Sequence, residues 1–469
     1  MAVVMKFGGT SVADAPAFDN VARIVAERIQ LRPVVVVSAM SGMTDALVTS
    51  ADLAQSGDAD AAVSSLIALF DRHRTVASAL LEPQSEREFL DRLQAAADQI
   101  SELLLNLKDD PANRSQLKDE LLSFGEQLSS ELLARVLPRH GVPSTTVDAR
   151  DCIITNDEHG CASPVLTETV LRSHSILHPV LDSGVVPVVG GFFAATRSGV
   201  TTTLGRGGSD YTAAILGAAL NCEEIQIWTD VTGVLTADPR VVPQAQTVER
   251  LSYGEAAELA YFGAKVLHPK TIQPAIEKNI PVRICNSHMP AESGTLVCAQ
   301  TETSPRTLKA IAHKTGVTTV QITSARMLGA YGFLRALFAV FERHRTVIDV
   351  VTTSEVSVSL SLDDATSLPA ILADLKPLGT VGVEPGRAII CVVGEGLRGT
   401  PGIAARVFST ISDINVTLIS QGASSINFTF AIEEERVHEA VRRLHREFFE
   451  QETVPHVADE RELVADIHG

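Results

Sequence analysis

Short unbroken apolar runs, separated by longer stretches with helical spacing, organise residues 1–300. The runs Val3–Phe7, Val34–Ser38, Val185–Val189, Ile225–Thr229 and Val282–Cys285 read as strands. Continuity rather than alternation marks strands covered on both faces of a sheet. Helical stretches such as Asp14–Leu31 and Tyr211–Leu220 lie between them. The pattern predicts an α/β layered domain with a largely parallel sheet. Residues 50–137 form an all-helical excursion, whose last segment aligns Leu117, Leu121, Phe124, Leu128, Leu132 and Val136 on one core-facing stripe.

The composition turns polar over Ala299–Lys309, which reads as a linker. Beyond it a weak internal repeat appears. Thr318–Leu362 reads strand, glycine loop, amphipathic helix and two strands, and Arg387–Ile432 reads the same way. Gly332 corresponds to Gly402, and the face Phe333/Leu337/Phe341 corresponds to Ile403/Val407/Ile411. The alternation Val358, Leu360, Leu362 recurs as Ile426, Phe428, Phe430. Each copy is too small to bury its sheet alone, so the two are expected to share a sheet or pair with another chain. The expected domains are a catalytic unit over 1–300, a linker over 301–312, and repeat units over 313–386 and 387–469, the last strand being available to complete the first unit.

Length and charge narrow the function. A chain of 469 residues implies two to four domains. The net charge of −18, from 39 basic and 57 acidic residues, argues against nucleic-acid and anionic-membrane partners. Six scattered cysteines (Cys152, Cys161, Cys222, Cys285, Cys298, Cys391) form no CxxC pair or zinc spacing, which fits a reducing cytoplasm. No apolar stretch has the length of a membrane span, and the N-terminus lacks the pattern of a secretion signal.

Phosphate chemistry is suggested by glycine-rich turns rather than by a P-loop. GxxxxGK[ST] is absent, as are the glycine loop, HRD and DFG of protein kinases. A G-x-G-x-x-G at Gly394–Gly399 lies inside the repeat, where a turn shaping a small-ligand loop is the better reading than a dinucleotide fingerprint. The strand running into Lys6-Phe7-Gly8-Gly9-Thr10-Ser11 offers a lysine, a flexible backbone and a helix start near Val12, capped by Thr10 or Ser11. An ordinary tight turn with a solvated lysine is the alternative. Thr201–Asp210 gathers three glycines, hydroxyls, Arg206 and Asp210 before a helix, a combination suited to a carboxylate or phosphate. Trp228-Thr229-Asp230 follows a strand at the usual ligand edge of a parallel sheet, with Asp238-Pro239-Arg240 downstream. In Phe262–Pro269, Lys265 is a site cation or a solvated helix lysine, and His268 reads as a turn or capping residue. No carboxylates are spaced as a metal cage, so magnesium is expected to arrive with a nucleotide.

Taken in order, Lys6-Phe-Gly-Gly-Thr-Ser, Thr202-Thr-Leu-Gly-Arg-Gly-Gly-Ser-Asp210, Trp228-Thr-Asp230, Asp238-Pro-Arg240 and Phe262-Gly-Ala-Lys-Val-Leu-His-Pro269 resemble the motifs of aspartate kinases. The chain is similar to the monofunctional, lysine-sensitive type within the amino-acid-kinase superfamily, along essentially its whole length. The resemblance implies an α/β/α sandwich followed by tandem βαββαβ repeats of the ACT type. It implies ATP with Mg²⁺, and phosphorylation of the L-aspartate β-carboxylate as the first step towards lysine, threonine and methionine. Lys6 and Lys265 would stabilise the transferring phosphoryl group, and Asp210 would organise them. Gly8 and Gly9 would line the phosphate path, and Thr229, Asp230, Leu235, Arg240 and Val266 would hold the nucleotide. Ser38, Thr44, Glu126, Thr203, Arg206 and Ser209 would hold aspartate, with Arg206 on a carboxylate and Glu126 on the ammonium.

An allosteric amino acid, lysine first, with threonine, joint control or insensitivity as alternatives, would meet Met327, Phe333, Leu334, Asp349, Thr353, Ser354 and Glu355. Leu235 replaces a tyrosine frequent beside the adenine, and Ala330 and Val347 replace serines of lysine-inhibited relatives. A homodimer or higher homo-oligomer through the ACT units is expected. Intact Lys6, Lys265, Arg206 and Asp210 argue against an inactive amino-acid sensor, the different-class alternative. Three windows, Met1–Ala13, Val185–Ser209 and Leu259–Ile276, contain no acidic residue and hold Lys6, Arg206 and Lys265. Brought together they would make a local cationic cleft for small anions.

Overall fold

The computed structural model describes residues 2–263, 267–299, 308–422 and 424–450. Two compact units divide the chain, Met1–Leu235 with Gln246–Pro305, and Thr236–Ala245 with Arg306–Gly469.

The first unit contains strands β1 (Val3–Phe7), β2 (Pro33–Val37), β3 (Ser144–Val147), β4 (Ile154–Thr155), β5 (Val186–Gly190), β6 (Phe193–Thr196), β7 (Thr201–Thr203), β8 (Glu224–Thr229), β9 (Arg250–Ser252), β10 (Val282–Asn286) and β11 (Thr295–Cys298). Eight of them form one sheet in the order β3-β5-β2-β1-β8-β10-β11-β9. Every neighbouring pair is parallel except β10–β11. The five apolar runs are its central strands, and β1, β2 and β5 are buried at every position. The short strands β3, β4, β6, β7, β9 and β11 escape sequence reading because two to four residues, several of them polar, carry no period. Of these, β4, β6 and β7 make a separate small sheet.

From β1 the chain moves outward to β2 on one side and later returns to β8 on the other. This strand is therefore a switch point, where a crevice opens beyond the carboxyl ends of parallel strands. Phe7 pairs with Val37 and with Trp228, so Gly8, Ser38 and Thr229 emerge side by side. Beneath them the Phe7 and Trp228 rings stack with centroids 5.9 Å apart.

The helical excursion spans Met43–Ser56, Ala59–Ser64, Ile67–Leu80, Pro83–Asp109 and Arg114–Val136, beginning earlier than the predicted residue 50. The predicted stripe is buried apart from half-buried Leu117. Burial extends further round the last helix, to Asp119 and Glu126, because it packs against the helix Pro83–Asp109 on one side and β5 and β7 on another. Gly125 lets the same helix lie against the segment after β2, since a Cβ there would lie 2.8 Å from the Ala39 Cβ.

The second unit contains β12 (Ala310–Thr323), β13 (Val351–Thr353), β14 (Ser357–Leu362), β15 (Thr380–Val393), β16 (Val416–Gln421) and β17 (Asn427–Glu433). Their order, β13-β14-β12-β15-β17-β16, places equivalent strands of the two repeats symmetrically, so the repeats share one antiparallel sheet. The two long strands serve both halves. Thr318–Thr323 pairs with β14 and with Thr380–Glu384, whereas Ala310–Lys314 pairs with Ile389–Val393. Gly316 and Gly386, with φ of 73° and 67°, mark the changeover. Each repeat thus lends a strand segment to the other. Among the described residues the last strand, β17, pairs with β15 and β16.

Leu337 and Phe341 join Val358, Leu360 and Leu362 in one core, and Val407 and Ile411 join Phe428 and Phe430 in the other. Burying side chains of this size contributes roughly 1.5–3 kcal/mol each. Residues 236–245 add Ala237, Val241 and Val242 to the second core. The Gly394–Gly399 motif follows β15, which is antiparallel to both neighbours, so it forms a turn and opens no βαβ unit.

Candidate active site

A cavity of about 640 Å³ opens at the switch point of the first unit. Its lining brings together Lys6, Gly9, Ser38, Thr44, Glu126, Thr203, Arg206, Ser209 and Asp210, nine of the predicted residues.

At the β1 end, Lys6 is buried at the strand's exit, and its ammonium lies 2.5 Å from Asp210 Oδ1. The glycines after it have different reasons. Gly8 donates its N–H to the Trp228 carbonyl at 3.0 Å, joining the turn to β8. A Cβ on Gly9 would sit 2.9 Å from the Ala39 carbonyl oxygen, so only glycine lets the turn lie against the loop after β2. The turn continues as a short 3₁₀ segment, Gly9–Val12. The α-helix begins at Ala15, later than predicted, and its cap is Asp14, which accepts from the Ala17 N–H at 3.0 Å. Ser11 instead donates to Ser287 Oγ at 2.9 Å, and Thr10 is exposed.

The second glycine element is more helical than the sequence suggested. Its helix spans Gly208–Leu220, placing Ser209 and Asp210 in the first turn, where unpaired N–H groups and the helix dipole favour an anion. Gly205 and Gly207, with φ of 76° and 72°, shape the preceding loop. Arg206 is exposed at the cavity, with no ion pair to a described residue.

Glu126 enters from the helix Arg114–Val136 and is only 3% exposed. Burial pushes its carboxyl up to about 8, against the smaller opposing influence of backbone groups at Ala39 and Glu126 and of the Lys6 charge. Its Oε2 has no hydrogen-bond partner among the described residues. A cationic ligand group would satisfy it.

Among its described lining residues, the cavity carries both signs of charge. Lys6, Lys118 and Arg206 face Asp45, Asp119, Glu126 and Asp210 within it. The acids arrive on helices that cross the site from outside the acid-free windows, so the lining suits a zwitterion with both charge signs. Asp119, Lys118 and His159 also line the cavity and were not anticipated. The available signal was helical: Ser115, Asp119, Leu122 and Glu126 recur at spacings that share one face.

Of the residues expected to hold the nucleotide, Thr229, Asp230 and Leu235 belong to the first unit and Arg240 to the second. Thr229 and Asp230 leave β8 beside Gly8, with the Thr229 hydroxyl 3.0 Å from Asp230 Oδ1. Leu235 bridges to Thr247. Arg240 belongs to the segment of the second unit, exposed and bidentate on Asp238. Lys265 and Val266 lie outside the described residues. His268 caps the turn Pro269–Ile272, accepting from the Lys270 N–H at 3.3 Å, as expected of a structural histidine. No group of three His, Cys, Asp or Glu side chains that could hold a metal occurs among the described residues.

Residues 1–286 match the amino acid kinase family, and residues 390–448 match the ACT domain. The chain is 38% identical over 460 residues to lysine-sensitive aspartokinase 3 of Escherichia coli, covering 96% of this chain and 99% of that protein. The chain belongs to the aspartokinases.

Chloroplastic aspartokinase 1 of Arabidopsis thaliana is 37% identical, over 95% of this chain and 80% of that protein. Among solved structures, the chain is similar to E. coli aspartokinase III in complex with aspartate and ADP, with a TM-score of 0.80 and 37% identity over 96% of this chain and 100% of that one. The same enzyme in complex with lysine and aspartate gives a TM-score of 0.81 at 37% identity, over 96% of this chain and 99% of that one. Membership of the aspartokinases fits the parallel sheet of the first unit and the antiparallel double repeat of the second.

In the first repeat, Met327 ends a short turn, and Phe333 and Leu334 open the helix Phe333–Arg343. Thr353 ends β13, and Ser354 turns the chain into β14 through a 2.8 Å contact between its hydroxyl and that of Ser357. Glu355 is exposed in that turn. The Asp349 side chain is 2% exposed, 3.7 Å from the Lys314 ammonium, which also pairs with Asp363.

Proposed function

We propose that the chain transfers the γ-phosphoryl group of ATP to the β-carboxylate of L-aspartate, giving 4-phospho-L-aspartate and ADP at the start of lysine, threonine and methionine synthesis. The observation that carries the reading is the cavity itself. A lysine–aspartate pair and a helix N-terminus stand on one side of it, and a buried glutamate faces them from the other.

A carboxylate oxygen is already nucleophilic, so the residues have only to position it and neutralise charge. That oxygen bonds to phosphorus as the bond to the β-phosphate bridging oxygen breaks. Lys6 meets the negative oxygens of the transferred group, with Asp210 fixing its direction, and Lys265 is assigned as the second cation. Gly8 and Gly9 give the phosphates access to backbone. Arg206 holds a carboxylate in its fork, Ser38, Thr44 and Ser209 offer hydroxyls, and Glu126 and Thr203 take the α-ammonium. Thr229, Asp230, Leu235, Arg240 and Val266 are assigned to the nucleotide. Magnesium supplies charge neutralisation to the phosphates; with no carboxylate cage among the described residues, phosphate oxygens and water would be its main ligands. An ATP-dependent hydroxamate assay with aspartate, glutamate and acetylglutamate tests the reading. Activity confined to aspartate supports it, and none on aspartate would sink it.

For regulation, lysine is the assigned effector, binding the first repeat with its ammonium at Asp349 and Glu355. Support comes from the two carboxylates that the first repeat carries there, Asp349 with a side chain 2% exposed and Glu355 exposed in the turn before β14. Full activity at saturating lysine would remove this assignment. A homo-oligomer through the repeats has support in the exposed apolar side chains of Leu328, Tyr331, Phe338, Val347 and Val351. Light scattering of the purified chain would test it, a monomer at all concentrations being the contrary result. No helix among the described residues is long and apolar enough to cross a membrane, which is compatible with the cytoplasmic placement assigned here.

A further inference from the structure

Asp119 has no role in the assignment above, yet it is among the most deeply buried acids of the first unit, at 1% exposure. Its carboxylate collects hydrogen bonds from three residues on two segments around the cavity. Oδ1 accepts the Thr203 hydroxyl at 2.5 Å. Both oxygens accept the Gly160 N–H at 3.1 Å, and Oδ2 lies 2.8 Å from His159 Nδ1. Gly160 in turn backs the glycine loop, since a Cβ on Gly205 would sit 3.2 Å from the Gly160 carbonyl oxygen.

A threonine hydroxyl has a single proton. With that proton committed to Asp119, Thr203 presents only lone pairs to the cavity, and lone pairs attract an ammonium and repel a carboxylate. Glu126, seven residues after Asp119 on the same helix face, becomes likewise an acceptor once it gives up its proton to pair with the substrate ammonium. We infer that Asp119 is a positioning residue, which acts through Thr203 to make the helix-side wall an acceptor surface and so sets which end of the amino-acid substrate lies there. The inference rests on the aspartate reading of the cavity. Its consequence is orientational: with the ammonium held at Thr203 and Glu126, the carboxylates are left for Arg206 and Lys6.

The test is steady-state kinetics of the full-length enzyme with aspartate and ATP varied separately. Losing a hydrogen bond to a charged group predicts about a ten-fold rise in aspartate KM for Asp119→Ala and for Thr203→Val, with the ATP KM nearly unchanged. The double variant should be no worse than the poorer single one, because both remove the same interaction. Thr203→Ser keeps the hydroxyl and should recover most of the aspartate affinity lost in Thr203→Val. Asp119→Asn keeps an oxygen for Thr203 and should stay closer to wild type than Asp119→Ala. Additive penalties in the double variant, or an unchanged aspartate KM in Asp119→Ala, would overturn the inference. If Asp119→Ala does not fold, the remaining variants decide. An unchanged aspartate KM in Thr203→Val, or an Asp119→Asn enzyme whose aspartate and ATP KM rise together, also overturns it. A wild-type enzyme inactive on aspartate is a separate outcome, which removes the functional reading itself.

Discussion

Lys6 and Asp210 meet within the cavity, an ammonium 2.5 Å from a carboxylate oxygen, although one lies near the end of the first strand and the other in the first turn of a helix far along the chain. Side-chain exposures of 11% and 17% keep the pair largely out of water but open to a ligand. A lysine held in this way needs little rearrangement when a phosphoryl group arrives, the condition for electrostatic stabilisation of a transition state. Lys6→Ala should lower kcat by about two to four orders of magnitude. Asp210→Asn, which leaves the cation but frees it, should cost less. Single-turnover rates with saturating ATP and aspartate would compare the two, and a kcat unchanged in Lys6→Ala would contradict the role.

Arg206 stands at the cavity without an ion pair to a described residue, and its fork is suited to a carboxylate. Arg206→Ala should raise the aspartate KM by about a hundred-fold while leaving the ATP KM near its original value. Arg206→Lys should recover only part of the loss, because an ammonium cannot grip bidentately. An unchanged aspartate KM would show that the arginine does not bind substrate.

Glu126 predicts a pH dependence. With its carboxyl pushed up to about 8 by burial, it is mainly protonated in the empty enzyme at neutral pH. Pairing with a substrate ammonium requires the ionised form, so the proton must leave on binding. Aspartate affinity should therefore rise with pH between about 6 and 8 and level off above. Glu126→Gln should abolish that slope. The sign for stability is opposite. The folded state binds the proton more tightly than the unfolded state, whose carboxyl titrates near 4.5. The stability associated with the protonated group is fully present below 4.5 and is lost as pH rises to about 8. Thermal midpoints of the ligand-free enzyme and of Glu126→Gln across that range measure it, and parallel curves would refute the assignment.

Lys314 already places a cation beside Asp349 and Asp363. Lys314→Met removes it and should lower the lysine concentration for half-inhibition, by roughly three-fold for a partly solvated pair. Inhibition curves at fixed aspartate and ATP provide the measurement. Unchanged sensitivity would mean that Asp349 is not the partner of the effector's ammonium.

What the sequence determined by itself was whatever a local pattern carries. Unbroken apolar runs specified the central parallel strands, because a strand covered on both faces has no polar side. A phase-matched repeat specified the double antiparallel unit, and glycines beside Lys6 and Arg206 marked two turns near the site. The tertiary structure alone decided which segments meet. It lent β12 and β15 reciprocally to the two half-sheets, moved residues 236–245 into the second unit, and carried the helix Arg114–Val136 across the cavity. That last placement supplied Asp119 and Glu126 and gave the described lining both signs of charge. The physical reason is that charge and hydrogen bonding at a site depend on distances in space, which local periodicity does not encode.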